Sequence, residues 1–140
     1  MEKRPEAVKR VADANLNRAR EGLRVVEDIA RFVLDNKQLT NFAKNMRSEI
    51  SILQKKHKDF INLRETESDV GVKLESVNEK RRDSIEDIVL ANIKRTEESL
   101  RVLEEIFKLI DEESSLKFKA LRYNSYILEK NTIESIKNIL

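Results

Sequence analysis

Residues 14–33, ANLNRAREGLRVVEDIARFV, and residues 91–110, ANIKRTEESLRVLEEIFKLI, align over twenty positions without a gap. Nine positions are identical: Ala14/Ala91, Asn15/Asn92, Arg18/Arg95, Glu21/Glu98, Leu23/Leu100, Arg24/Arg101, Val25/Val102, Glu27/Glu104 and Ile29/Ile106. Unrelated segments of ordinary composition would share about one or two. Leu16/Ile93, Asp28/Glu105 and Arg31/Lys108 are mild replacements. The chain therefore carries a duplicated unit, and a site is to be sought where equivalent residues of the two copies face each other. After residue 34 the likeness fades to Phe42 with Phe118 and Met46-Arg47 with Leu121-Arg122.

Each copy has the period of a helix. Val8, Val11, Leu16, Ala19, Leu23, Val26, Ala30 and Val33 recur mostly three and four apart, which predicts a helix over 5–34 with Pro5 in its first turn. Asp35 and Asn36 end it. Leu39, Phe42, Met46, Ile50, Leu53, His57, Phe60 and Ile61 predict a second helix over 39–63. Residues 64–82 lose the pattern and read as a connecting loop. Ser84 with Asp87 resembles a capping box and opens a third helix to about residue 111. A fourth covers 115–130, and Asn131-Thr132 can cap a short last helix over 133–140. The expected fold is a single all-α domain, residues 1–140. It is an antiparallel four-helix bundle made by internal duplication of residues 5–63 and 83–130, with a short C-terminal helix.

Composition agrees. Two glycines, one proline and 39% charged residues suit long helices, and a 140-residue domain buries about two-thirds of its unfolded surface. No cysteine is present, so disulfides, thiolate zinc sites and a cysteine nucleophile are excluded. The charged start, Met1 to Arg10, and the lack of a long apolar run predict neither a signal peptide nor a membrane span, and a cytoplasmic location. Basic and acidic residues number 28 and 26, without the one-sided excess of a nucleic-acid binder.

On a helical wheel Asn15 falls inside the apolar arc of the first helix. Arg18 lies at its edge, beside Gly22, and Asn92, Arg95 and Ser99 repeat the arrangement. A polar amide aimed at a core costs a few kcal/mol unless it finds partners. Asn15 and Asn92 either satisfy each other or nearby backbone and set the register, or they line a polar cavity between the halves that holds an anion. Arg24, Glu27, Arg31, Arg101, Glu104 and Lys108 lie further round and read first as a solvated face. Residues 64–71, RETESDVG, read as a solvated loop or as a lid contacting phosphate or Mg²⁺. His57 is the one histidine, which rules out a multi-histidine metal site. With glycine only at 22 and 71, neither phosphate-cradling glycine loop exists, so any bound phosphate must be held by arginines, helix N-termini and Mg²⁺.

Four ordered blocks carry a family resemblance: residues 13–34, residues 64–71, residues 91–95 with 100–105, and residues 121–123 with 126–130. Together they resemble the monofunctional hydroxymethylpyrimidine phosphate kinase family, a small helical domain also found fused ahead of thiamine-phosphate synthase. Met46-Arg47-Ser48 departs from the family's Leu-Arg-His, and Ser68 replaces a common glycine. The resemblance implies a kinase that transfers the γ-phosphoryl group of ATP, with Mg²⁺, to hydroxymethylpyrimidine phosphate. For that reaction we expect Arg18, Arg95 and Arg64 at the phosphates, with Arg122 behind them, and Asn15 and Asn92 at the aminopyrimidine or phosphate oxygens. Tyr123, or Tyr126, would stack on the pyrimidine. Asp69 would take the magnesium, with Glu27 and Glu104 behind it. Expected partners are the pyrimidine monophosphate and a nucleotide, with a homodimer or thiamine-phosphate synthase as further candidates. A non-catalytic docking module beside that synthase is the alternative reading.

Overall fold

The structure, a computed structural model, describes residues 5–58, 71 and 81–140. Four long helices account for most of them: α1 (Pro5–Asp28), α2 (Lys37–Lys56), α3 (Ile85–Ile106) and α4 (Glu112–Ile139). Among the described residues there is no strand, and no helix is long and apolar enough to cross a membrane. The chain forms the all-α bundle expected from its periodicity. α1 packs most extensively on α3, and each of these packs on its own hairpin mate, α2 or α4.

The duplication is visible in the joints. Asn36 caps α2 by accepting from the Leu39 amide at 2.9 Å, and Asp111 occupies the matching position ahead of α4. Ser84 accepts from the Asp87 amide at 3.1 Å, while the Asp87 carboxylate accepts from the Asp83 amide. These contacts use amides that a helix start would otherwise leave unpaired. Asp35, at φ 49°, turns the chain between α1 and α2; a short polar side chain tolerates that backbone shape.

The two copies end differently. α1 runs into a π-helical turn, Ile29–Val33, whereas α3 tightens into a 3₁₀ turn, Phe107–Leu109. The wider turn rotates the apolar stripe, so Leu34 is buried and Val33, expected inside, faces out beside Phe32. Val11 is likewise exposed, and Ala12 takes the inward place. The last helix also departs from expectation. α4 continues without a break through Asn131 and Thr132 to Ile139, because Leu128, Thr132 and Ile136 share one buried stripe. Packing of that stripe outweighs the capping preference of the two polar residues. Phe60, Ile61 and nearly all of the loop 64–82 lie outside the described residues.

Candidate functional site

A close helix crossing sets the site. Ala19 and Gly22 of α1 meet Asn92 and Thr96 of α3, and a Cβ placed on Gly22 would lie 2.6 Å from the Asn92 carbonyl oxygen. Only glycine fits there. The Thr96 hydroxyl bridges the helices between the Ala19 and Asn92 carbonyl oxygens, at 3.3 and 3.2 Å. Ala19 and Thr96 are equivalent positions of the repeat, so the pseudo-twofold axis passes near this contact.

Along the crossing opens a cavity of about 460 Å³. Asn15, Arg18, Glu21 and Gly22 line it from α1, and their equivalents Asn92, Arg95, Glu98 and Ser99 line it from α3. Val102 and Gly71 complete the wall. Asn15 donates to the Val11 carbonyl at 2.9 Å, and Asn92 to the Ile88 carbonyl at 2.8 Å. Both sequence alternatives therefore hold in part: each amide is anchored on its own helix backbone and also lines the cavity. One N–H is committed, leaving the carbonyl oxygen and second N–H of each amide as the groups it can offer a ligand.

The arginines divide into two classes. Arg18 and Arg95 are exposed at the cavity and have no carboxylate partner among the described residues. Arg47 and Arg122 are tied down. Arg47 Nε donates to Glu27 Oε1 at 2.9 Å, and both Nε and Nη2 of Arg122 reach Glu104 Oε1 at 2.9 Å. These are one contact made twice, since Met46-Arg47 and Leu121-Arg122 correspond. Arg101 adds a second cation to Glu104 at 3.2 Å. Glu27 and Glu104, expected as magnesium ligands, are thus buried partners of arginines and do not line the cavity. Arg122, expected at phosphate, is held away from it, and its guanidinium lies 5.0 Å over the ring of Tyr123, which faces outward. Arg64 and Asp69 lie outside the described residues, although Gly71, the end of their motif, reaches the cavity wall.

Sequence reasoning passed over Glu21 and Glu98. Their signal was present: both are identical between the copies and stand three residues after the cavity arginines, on the same helix face. Among the described residues no group of three or more His, Asp or Glu side chains stands together to hold a metal. Two carboxylates beside two arginines can still hold Mg²⁺, because that ion takes most of its ligands from phosphate oxygens and water.

A second polar bridge shows how the copies diverged. Arg20 Nη1 donates to Gln54 Oε1 at 2.9 Å, between α1 and α2. The same place between α3 and α4 holds Lys94, which lies 2.9 Å from Glu129 and 3.4 Å from Glu97. Burial, reinforced by Glu129, pushes the Glu97 carboxyl up to about 7, against the pull of Lys94.

The ThiD2 family pattern matches residues 10–131 of the chain. A thiamine-phosphate synthase of Synechocystis sp. is 42% identical over 132 residues, covering 94% of this chain and 38% of that protein. One from Nostoc punctiforme is 42% identical over 90% of this chain and 35% of its own length. One from Rhodopirellula baltica is 36% identical over 85% and 32%. The chain thus spans about a third of the length of these relatives. No solved structure matches it significantly.

Proposed function

The chain belongs to the ThiD2 family, and from that premise we propose that it acts in thiamine biosynthesis as a hydroxymethylpyrimidine phosphate kinase. The reaction moves the γ-phosphoryl group of ATP onto a phosphate oxygen of the pyrimidine monophosphate, giving the diphosphate and ADP. The observation that carries this reading is the pair Arg18 and Arg95, which have no carboxylate partner among the described residues at one cavity, while Arg47 and Arg122 are neutralised. A relative's name, thiamine-phosphate synthase, fits a neighbouring step that would consume the diphosphate.

The chemistry suits these residues. The attacking phosphate oxygen is already largely ionised at neutral pH, so no strong general base is needed, and His57 stands elsewhere, edge-on to Phe107. The demand is to gather several negative phosphates and to steady the charge in transfer. Two guanidinium forks approaching from opposite helices do this, each able to bind phosphate bidentately. Asn15 and Asn92 offer amide groups to the aminopyrimidine or to phosphate oxygens. Magnesium would be held by the phosphates with Glu21, Glu98 and Asp69 as carboxylate candidates, and it supplies charge neutralisation between the phosphates. Arg64, from the segment that ends at Gly71, remains a candidate to cover them.

The test is direct. Incubated with ATP, Mg²⁺ and the pyrimidine monophosphate, the protein should yield the diphosphate and ADP, and the free alcohol should be a poor acceptor because an empty arginine site leaves charge unpaired. A stable, folded protein that forms no ADP would favour the rival docking role beside thiamine-phosphate synthase. That rival draws on the chain matching about a third of its relatives.

A further inference from the structure

α4 (Glu112–Ile139) has two faces of different use. Phe118, Leu121, Ser125, Leu128, Thr132 and Ile136 are buried against the bundle. On the outer side Glu113, Leu116, Ala120, Tyr123, Ile127 and Lys130 are all exposed. Their spacing alternates three and four, the seam that pairs one helix with another. The large members are widely open: Leu116 is 62% exposed, Tyr123 51% and Ile127 48%.

The duplication supplies an internal control. Counted from the matching caps Asn36 and Asp111, the same face of α2 carries Gln38, Asn41, Asn45, Ser48, Ile52 and Lys55, also exposed. That face is polar but for one residue. The scaffold therefore does not require an apolar seam here, and α4 carries one that is exposed among the described residues.

We propose that this seam binds a second copy of the chain, with the two α4 helices antiparallel about a twofold axis beside Leu121 and Arg122. In that register Leu116 meets the second copy's Ile127, Ala120 meets its Tyr123, and Glu113 meets its Lys130. Each contact occurs twice, as an isologous interface demands. Charge selects this partner and this direction. The seam is apolar in the middle, acidic at one end, where exposed Glu113 also lies 3.5 Å from Lys117 of its own helix, and basic at the other, over roughly 26 Å of helix. Antiparallel self-pairing sets unlike charges together at both ends, whereas parallel pairing would set Glu113 on Glu113 and Lys130 on Lys130. Small Ala120 opposite large Tyr123 lets the helices interdigitate. The cavity is lined by α1, α3 and Gly71, so the dimer leaves it open and does not depend on the catalytic reading.

Sedimentation equilibrium of the full chain over a range of concentrations tests this. The expected mass is twice the 16.4 kDa of one chain. Ile127→Lys should raise the dimer dissociation constant by more than about tenfold with unchanged helical circular dichroism, because the side chain is exposed in the monomer. Glu113→Lys and Lys130→Glu should each weaken the dimer, and the two together in one chain should restore it. A single-chain mass at every concentration would overturn the proposal, and so would a dimer indifferent to Ile127→Lys. Charge reversals that add instead of compensating would overturn the antiparallel register.

Discussion

The Thr96 hydroxyl reaches the carbonyl oxygen of Ala19, its own equivalent in the other half of the chain, at 3.3 Å. A residue touching its repeat partner marks the axis that relates the halves. The cavity arginines, asparagines and glutamates are arranged in pairs about that point, so the crossing is both the structural centre and the floor of the site.

Gly22 is the residue that permits this approach. Replacing it with alanine favours the helix by roughly 1 kcal/mol but drives a methyl group into the Asn92 carbonyl and the Thr96 hydroxyl. Overpacking of that kind costs about 1–3 kcal/mol and wins because one of the opposing atoms is backbone. Gly22→Ala is expected to lower the urea midpoint, and an unchanged or raised midpoint would show that α1 and α3 are not so close.

Arg18 and Arg95 are exposed, so the fold does not need them. Arg18→Ala and Arg95→Ala should each reduce kcat by about 10²-fold or more, the scale of losing one charge-stabilising donor, with normal thermal melts. Near-wild-type rates in both variants would remove phosphate binding from this cavity.

Arg47 and Arg122 should behave in the opposite way. Arg47→Ala leaves the Glu27 carboxylate buried without its cation, a loss of about 3 kcal/mol. Arg122→Ala should cost less, because Glu104 keeps Arg101. Pyrimidine kinase turnover, measured below the melting temperature, should be little changed in either. A selective collapse of kcat in Arg122→Ala would return that residue to the site.

The Glu97 carboxyl rises from an ordinary 4.5 to about 7, chiefly through burial. The folded protein therefore holds a proton that the unfolded chain releases, and stability from this group is lost as pH rises between about 5 and 7. Glu129 is shifted down, so its own dependence falls at lower pH and does not cancel this. Glu97→Gln is expected to flatten the melting temperature across that window and to be more stable than wild type above it. A variant with the same slope would place the titration elsewhere.

Much of this was legible in residue order alone. The repeat, the helical class, the cap at Ser84 and the pairing of Asn15 with Asn92 and Arg18 with Arg95 all rest on spacing within one helix or identity between two copies. Helical period is a local property, and local properties are written in sequence. What tertiary structure decided was the state of each charge. Arg18 and Arg47 look alike in sequence, yet one faces a cavity and the other a carboxylate on a neighbouring helix. Glu21 faces the cavity while Glu27, less than two turns on, is buried against α2. Asn131 and Thr132 have the composition of a helix start, but the buried stripe around them carried α4 straight through. In each case the outcome depends on which side chain arrives from another helix, and that distance exists only after the helices have packed.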